Sequence, residues 1–303
     1  MNQSAVHISV CVCTFKRPQM LRRLLAKVAT LKTANLFTYS VVLVDNDELQ
    51  SGKDVAVNAR KQTGLCVDYD MEPERSISLA RNRCVRNAHG ELIAFIDDDE
   101  FPDQDWLLNH FRMLTASKAD GVLGPVRSHF EGEAPAWLVK SGILERRSLN
   151  TGEVIRNSVD TRTGNVLIWK SVFTETGGYF DPKFGRSGGG DAVFFKRMME
   201  QGKVFVWCNE ACVFETVPPE RQNRMYYLRR ACTRGLGEAW ETRALSAGTA
   251  RSLAAIVLYT AALPVLCLLG QHLFMKYLVK DCDHIAKVLG YLGIRLAPER
   301  PYP

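Results

Sequence analysis

The sequence lacks three features that would assign it to common functional classes. It has nine cysteines but no CxxC pair, so neither a zinc site nor a dithiol redox centre is indicated. It has no dense run of Lys and Arg, and its net charge of +6 falls short of the strongly basic composition of nucleic-acid-binding proteins. No nucleic-acid partner is therefore predicted. The mildly basic charge suits an anionic ligand or a membrane surface.

The N-terminus also lacks the basic segment and apolar run of a signal peptide, so we expect none. The cysteines are accordingly interpreted as reduced, mostly buried thiols of a cytosolic protein. A hydrophobic content of 46% and a charged content of 24% are ordinary for a folded chain. With 303 residues, we expect one main domain over residues 1–235 and a helical, hydrophobic region over residues 236–303.

Strand-like apolar runs alternate with helical patterns through the first 120 residues. Four runs predict strands: HISVCVCTF, SVVLVDND, LCVDYDME and ELIAFI. After Gly121 the strand-like runs lack intervening helices, which indicates an antiparallel second half. The pattern predicts an open, mixed α/β sheet, in which ligands bind at the carboxyl ends of the strands.

Four carboxylates, Asp97 to Glu100, follow directly after the apolar run ELIAFI. Like charges next to a buried strand repel one another and are costly. Carboxylate oxygens suit Mn²⁺ or Mg²⁺, especially when a diphosphate supplies further ligands, and alternate residues such as Asp97 and Asp99 point the same way in an extended chain. The alternative is a solvated acidic loop, with Asp103 as the N-cap of the next helix.

A glycine-rich stretch, GRSGGGDAVFF, forms a second candidate element. Gly188, Gly189 and Gly190 permit close backbone approach, and Asp191 begins a helix. The helix dipole favours the ionised carboxylate, which is the state that a general base needs. The alternative is that Asp191 is only the N-cap of its helix.

Residues 252–275 contain no charged side chain and lie between Arg251 and Lys276. Their length suits a membrane-spanning helix. A pair of interfacial helices and a buried helical hairpin are the alternatives.

Four motifs, in this order, resemble the inverting family 2 glycosyltransferases, and within them the bacterial exopolysaccharide enzymes of the succinoglycan type: VCVCTFKRPQMLRRLL, VVLVDND, ISLARNRCVRNAHGELIAFIDDDEFPDQDWL and GRSGGGDAVFF. The resemblance covers residues 7–235. It implies a GT-A fold, with a Rossmann-like sheet flanked by helices, and a membrane-associated C-terminal tail. It also implies transfer of a hexose from a nucleotide sugar, with UDP-glucose as the favoured donor, assisted by Mn²⁺ or Mg²⁺.

The resemblance further implies where the nucleotide binds. Phe15 corresponds to an aromatic ring that stacks on the base, and Thr14 and Arg17 flank it. Asp45 and Asn46 correspond to an acidic pair that reads uracil, although the second position is an amide here.

For the diphosphate and the chemistry, the resemblance implies five residues. Arg81 corresponds to an arginine near the nucleotide and diphosphate. Asp97 and Asp99 correspond to the outer positions of a DxD motif, with Asp97 and Asp98 on the donor side and Asp99 on the metal. Asp191 corresponds to the catalytic base.

Two positions depart from the family pattern: Gly190 replaces a glutamate that helps to hold the acceptor, and Phe214 replaces a histidine. We expect Gly189, Gly190 and Trp137 to contact the acceptor. The expected acceptor is a polyprenyl-diphosphate-linked glycan at the cytoplasmic face of the bacterial inner membrane. A nucleotidyltransferase, a phosphotransferase and a non-catalytic carbohydrate-binding protein are the alternative functions.

Overall fold

The computed structural model describes residues 6–175, 177–185, 189–241 and 247–294. The chain forms two compact units. Unit 1 consists of the chain up to Arg127 together with Arg146–Glu215, and unit 2 consists of Ser128–Glu145 and the chain from Thr216 onward.

The described residues include ten strands. They are β1 (Val6–Thr14), β2 (Phe37–Asp45), β3 (Val67–Met71), β4 (Leu92–Ile96), β5 (Glu100–Pro102), β6 (Gly121–Leu123), β7 (Val126–Phe130), β8 (Asn165–Trp169), β9 (Phe205–Trp207) and β10 (Val213–Val217). Seven of them form the main sheet in the order β3-β2-β1-β4-β8-β6-β9, and β5-β10-β7 form a second sheet.

The main sheet is parallel in its first half and mixed in its second, as predicted. Strand β1 pairs in parallel with β2 and β4, and β2 pairs in parallel with β3. Strand β8 is antiparallel to both β4 and β6. The register between β4 and β8 matters most, because it sets Ile96 at the end of β4 opposite Asn165 at the start of β8. Segments distant in sequence are thereby joined at one edge of the sheet.

The described residues also include ten α-helices. They are α1 (Pro18–Val28), α2 (Lys53–Thr63), α3 (Ile77–Asn87), α4 (Trp106–Ser117), α5 (Ala136–Ser141), α6 (Ser171–Glu175), α7 (Gly190–Glu200), α8 (Arg224–Glu241), α9 (Ala247–Leu269) and α10 (Gln271–Tyr291).

Helices cover both faces of the main sheet, because successive side chains of a strand point to opposite faces. On β1, Val10 and Val12 belong to one apolar cluster that contains Leu21 of α1. Cys11 belongs to the other cluster, with Phe194 of α7. Each cluster buries the apolar stripe of its helices, which is the main favourable contribution to folding.

The start of α4 differs from the prediction. The residue before the helix is Asp105, and Asp103 contributes its carbonyl oxygen, which accepts from the Trp106 amide at 3.1 Å. Asp103 as a side-chain N-cap is therefore wrong. Asp103 directly follows the end of β5 at Pro102 and lies two residues before the N-cap position.

Unit 2 contains α5, α8, α9 and α10. The uncharged segment predicted over residues 252–275 is not one helix, because Gly270, with φ of 142°, separates α9 from α10. Residues Gly248–Leu269 form a helix long and apolar enough to cross a membrane, and 6% of its most apolar window is buried. The boundary expected after residue 235 falls inside α8, which lies wholly in unit 2.

Candidate active site

The acidic loop after β4 packs against the backbone that leads into β8. A methyl group added to Gly164 would lie 2.6 Å from Glu100 Oε1 and 3.1 Å from Asp97 Oδ2, so a side chain at this position would displace the Glu100 carboxylate. The Asp97 amide donates to Glu100 Oε2 at 3.1 Å, and Glu100 is buried. Glu100 and Asp98 are therefore inside the loop, and Asp97, whose side chain is 42% exposed, lies nearest its surface.

The loop after β1 is tied to the acidic loop through two side chains. Arg17 Nη1 lies 3.0 Å from Asp98 Oδ1 and 3.0 Å from Asp99 Oδ2. Thr14 Oγ1 donates to Asp98 Oδ2 at 2.8 Å. The structure therefore brings together four residues that the sequence placed in one site.

A single arginine joins the acidic loop to Asp191. Arg81 Nη1 lies 2.6 Å from Asp191 Oδ1, and Nη2 lies 3.5 Å from Asp97 Oδ1. The Arg81 side chain is 9% exposed, whereas that of Asp97 is 42% exposed. The paired charges are therefore shielded on the arginine side and open to a ligand on the side of Asp97.

Asp191 does not cap its helix. The N-cap position is Gly189, whose φ is 83°, and Asp191 lies in the first turn. Its Oδ2 instead accepts from the amide of Thr163 at 3.2 Å and from the Thr163 hydroxyl at 2.9 Å. The N-cap alternative is therefore wrong.

The surroundings of Asp191 determine its charge. Burial raises the pKa of a carboxyl group, but the Arg81 charge and the Thr163 hydrogen bonds outweigh burial and hold the pKa of Asp191 below its ordinary value. Asp191 is therefore ionised at neutral pH, and both of its oxygens are held in a fixed orientation.

The acidic loop shows the opposite shift. Burial and the Asp99 charge raise the pKa of Asp98 to about 6, against the opposing effects of Arg17 and Thr14. Burial also raises the pKa of Asp97 and, well above its ordinary value, that of Glu100. Carboxylates that crowd each other in this way are stabilised by a nearby cation.

The donor set suits a divalent cation that is shared with a substrate. Carboxylate oxygens are the ligands that Mg²⁺ and Mn²⁺ prefer. Among the described residues, however, no group of three or more His, Cys, Asp or Glu side chains is arranged to hold a metal by itself. A cation at Asp97 and Asp99 would therefore need further ligands, such as diphosphate oxygens.

Asp45 and Asn46 are buried and make internal hydrogen bonds. The Asp45 carboxylate accepts from the Gly52 amide at 2.6 Å and from the Tyr69 hydroxyl at 3.2 Å. The Asn46 amide group bonds three backbone groups of residues 72–76. In the free protein these side chains stabilise the turns after β2 and β3, and their role in reading a base stays a prediction.

The half-buried ring of Phe15 has two cationic neighbours. The Arg75 guanidinium lies 4.8 Å from the ring centroid and the Lys16 ammonium 5.2 Å. Both are within cation–π range. Basic groups therefore surround the ring that is predicted to stack on a nucleotide base.

The residues predicted to contact the acceptor lie in different parts of the chain. Trp137 belongs to unit 2, where it packs edge-on against Tyr227 with centroids 5.9 Å apart. Gly189 and Gly190 belong to unit 1, next to Asp191, and a methyl group on Gly190 would lie 3.2 Å from Phe184 Cβ. Gly188 lies outside the described residues. Contact with an acceptor stays a prediction for all of them.

Sequence reasoning missed the polar residues that open β8. Asn165 Oδ1 accepts from Trp106 Nε1 at 2.8 Å and lies 2.7 Å from His110 Nε2, and its Nδ2 donates to the carbonyls of Pro125 and Ala211. This fully bonded side chain fixes the start of β8, and with it Thr163 and Gly164. The sequence signal that could have found it is the amide residue Asn165 at the start of the apolar strand NVLIW.

Comparison with known proteins agrees with this geometry. Residues 9–180 match the family described as glycosyl transferase family 2. The succinoglycan biosynthesis protein ExoM of Rhizobium meliloti is 28% identical, over 97% of this chain and 96% of that protein. The mannosyltransferase PcManGT from Pyrobaculum calidifontis, solved with GDP-Man and Mn²⁺, has a TM-score of 0.62 at 16% identity, covering 96% of this chain and 88% of that one.

A second solved structure, TarS of S. aureus residues 1–349 with UDP-GlcNAc, has a TM-score of 0.56 at 12% identity, covering 95% of this chain and 91% of that one. These structures share the predicted GT-A fold. Because the family match spans residues 9–180, more than half of the 303-residue chain, the resemblance seen in the sequence is confirmed. The chain belongs to glycosyl transferase family 2 and is a glycosyltransferase.

Proposed function

We propose that the protein is an inverting, metal-dependent hexosyltransferase that uses a UDP-sugar, such as UDP-glucose, and extends a polyprenyl-diphosphate-linked glycan in exopolysaccharide synthesis. One observation carries the proposal: Arg81 links Asp191 to Asp97. An ionised proton acceptor and a carboxylate loop suited to a cation are thus parts of one ion-pair network. Transfer from a nucleotide sugar needs both.

Asp191 is the proposed general base. Arg81 and Thr163 fix the orientation of its carboxylate, so that it accepts the proton as an acceptor hydroxyl attacks the anomeric carbon. The new C–O bond forms as the bond to the diphosphate breaks on the opposite side. A single displacement of this kind inverts the anomeric centre and leaves no sugar attached to the protein.

Asp99, together with Asp97, would hold a divalent cation. Burial first, and the neighbouring aspartate charges second, raise the pKa of Asp97 and Asp98, and a bound cation would stabilise their ionised forms. When bound, Mn²⁺ or Mg²⁺ would act as a Lewis acid that stabilises negative charge on the diphosphate. The Mn²⁺ in the mannosyltransferase complex supports this proposal.

Helix α9 is proposed to associate with the cytoplasmic face of the bacterial inner membrane. Its large apolar side chains are exposed, with Leu268 at 89% and Val257 at 72%. Arg229 and Arg230 on α8 are exposed as well and would attract anionic lipid. The name of the ExoM relative, a succinoglycan biosynthesis protein, supports an exopolysaccharide product.

A donor screen tests the proposal. UDP-, GDP- and dTDP-hexoses would be incubated with the full-length protein in detergent, Mn²⁺ and a lipid-linked acceptor, and the products would be analysed for nucleoside diphosphate and extended glycan. We expect both products from a UDP-hexose. Release of pyrophosphate would instead indicate a nucleotidyltransferase, and glycan binding without turnover of any donor would indicate a carbohydrate-binding protein.

A further inference from the structure

Near the acidic loop and Asp191, three arginines of the described chain form ion pairs within 3.5 Å and a fourth does not. Arg17 bonds Asp98 and Asp99, Arg81 bonds Asp97 and Asp191, and Arg146 Nη2 lies 3.1 Å from Glu215 Oε2. The fourth is Arg162, which directly precedes Thr163 and Gly164 in the chain.

Arg162 has unused hydrogen-bond donors inside the protein. Its Nε and Nη1 atoms are buried and have no hydrogen-bond partner in the described part of the chain. Leaving such a charged donor unpaired and away from water is costly. Burial lowers the pKa of Arg162 to about 10, with Arg146 acting in the same direction and Glu100, Glu215 and Asp191 in the opposite one. The guanidinium therefore stays charged at neutral pH.

The nearby carboxylates of the described chain do not form ion pairs with Arg162, and each of them has another partner. Glu215 is paired with Arg146, Asp191 with Arg81 and Thr163, and Glu100 accepts from the amide of Asp97. The guanidinium therefore has two donors, Nε and Nη1, left over for phosphate oxygens, which the planar guanidinium fork of arginine binds through charge-assisted hydrogen bonds. Arg162 directly precedes Thr163, which bonds Asp191, and the charges of Glu100 and Asp191 act on its guanidinium, so these donors lie near the acidic loop and Asp191.

We propose that Arg162 binds the diphosphate of the nucleotide-sugar donor and stabilises the nucleoside diphosphate as it leaves. The inference rests on the proposed function. As the bond from the anomeric carbon to the β-phosphate oxygen breaks, the electron pair stays on that oxygen. Arg162 donates to the phosphate on which this negative charge develops, and the acceptor proton goes to Asp191. Charge-assisted hydrogen bonds that strengthen during the reaction lower its barrier.

Nucleotide binding to Arg162→Gln tests the proposal without any need for turnover. The full-length protein in detergent with Mn²⁺ would be titrated calorimetrically with UDP, GDP and dTDP and with the matching monophosphates. The variants would then be titrated with the diphosphate that the wild type binds most tightly and with its matching monophosphate. We expect Arg162→Gln to weaken diphosphate binding about tenfold to a hundredfold, and monophosphate binding by less than about twofold.

Two further variants calibrate the result. Arg162→Lys keeps the charge but lacks the fork, so it should restore part of the lost diphosphate affinity. Arg156→Gln removes an exposed arginine from the same segment and should leave both affinities unchanged. An equal loss in Arg156→Gln would mean that general electrostatic attraction is measured, and would overturn the proposal.

Arg162→Met separates binding from a structural role. Because two of the guanidinium nitrogens, Nε and Nη1, are buried and have no hydrogen-bond partner in the described chain, the ligand-free variant should melt at the wild-type temperature or above it. Diphosphate should no longer raise its melting temperature. A lower ligand-free melting temperature with an unchanged diphosphate-to-monophosphate affinity ratio would make Arg162 a structural counter-ion.

The remaining outcomes separate the inference from the function on which it rests. If the affinity ratio is unchanged and only the KM for the acceptor rises, Arg162 serves the acceptor and the proposal is wrong. If the wild type binds a nucleoside diphosphate and all Arg162 variants bind it equally well, the inference alone fails. If the wild type binds none of the three diphosphates, the proposed function fails as well.

Discussion

Unit 1 buries charged side chains, whereas unit 2 exposes apolar ones. Around the acidic loop, Arg81, Asp98 and Glu100 are all nearly inaccessible to water. In unit 2, Val257 and Leu268 of α9 are largely exposed. Burying charge and exposing apolar surface are both unfavourable in water. The buried charges of unit 1 suit a charged ligand, and the exposed apolar residues along α9 suit the membrane association proposed above.

The polar groups of unit 2 support this contrast. Thr260 Oγ1 of α9 donates to Asp281 Oδ2 of α10 at 2.8 Å, and Ser252 and His284 lie 3.2 Å apart. Helices that pack together in a membrane satisfy their polar side chains across the helix pair in this way. The polar groups of α9 thus face its partner helix, and its apolar groups face outward.

The largest expected effect is that of Asp191→Asn on transfer. Removing the proton acceptor should lower kcat by about two to four orders of magnitude, while nucleotide affinity changes little. Steady-state kinetics and nucleotide titration on the same preparation would measure both quantities.

A matched control for Asp191 exists in the same unit. Asp54 also lies in the first turn of a helix, α2, but is exposed, so Asp54→Asn should retain wild-type kcat. If nucleotide affinity in Asp191→Asn collapses together with kcat, the carboxylate serves mainly to hold Arg81, and the assignment as base is incorrect.

The next effect concerns Asp99 and the metal. Asp99→Asn should abolish the extra thermal stabilisation that Mn²⁺ gives in the presence of a nucleoside diphosphate, because the cation loses a charged oxygen ligand. Differential scanning fluorimetry with and without Mn²⁺ measures this increment. Asp105→Asn, an exposed aspartate that pairs with Lys32, is the control. Full activity in EDTA would argue against any metal.

Much of unit 1 could be predicted from local sequence patterns. Pro18 and the spacing of Leu21, Leu24 and Leu25 predicted α1, which the structure confirms. The acidic loop was recognisable because four charged residues follow an apolar strand. Such patterns involve residues close in sequence, so they can be recognised without knowing the register between strands.

What could not be predicted depends on contacts between distant segments. Arg162 and Thr163 reach the site only because β8 pairs antiparallel with β4, in a register that sets Asn165 opposite Ile96. The role of Asp191 depends on the same pairing. Its carboxylate accepts a hydrogen bond from Thr163, and the N-cap position of α7 is Gly189. A single sequence does not reveal such pairings.

In unit 2, we expect the full-length protein to stay with membranes in a high-salt wash and to leave in detergent, since salt screens the arginines but not apolar burial. The double variant Val257→Lys/Leu268→Lys should become salt-extractable, because a lysine near the middle of a membrane helix, as at Val257 of α9, costs roughly 2.5–3.5 kcal/mol and a second charge at Leu268 reduces the apolar length further. Met225→Lys, at an exposed apolar residue of α8, should behave as the wild type. A wild-type protein that remains monomeric in buffer without detergent would show that α9 is not a membrane helix.

The smallest expected effect is a pH dependence of stability from His110 in unit 1. His110 is completely buried, its Nε2 lies 2.7 Å from Asn165 Oδ1, and its Nδ1 has no hydrogen-bond partner within the described chain. Burial lowers the pKa of His110 to about 4, and the bond to Asn165 offsets this only in part.

The direction of the pH effect follows from where the proton binds. The unfolded chain takes up a proton near the ordinary pKa of about 6.5, whereas the folded chain resists protonation until about pH 4. The contribution of His110 is therefore complete above pH 6.5 and is lost as the pH falls towards 4, by roughly 3 kcal/mol at most. The carboxyl groups of the acidic loop, whose pKa is raised, act in the opposite direction, because folding favours their protonated forms.

The comparison must therefore be made between wild type and His110→Gln, whose amide can still donate to Asn165. Between pH 7 and pH 5 the melting temperature should fall more in the wild type than in His110→Gln. Equal falls would show that unit 1 accommodates a charge at this position.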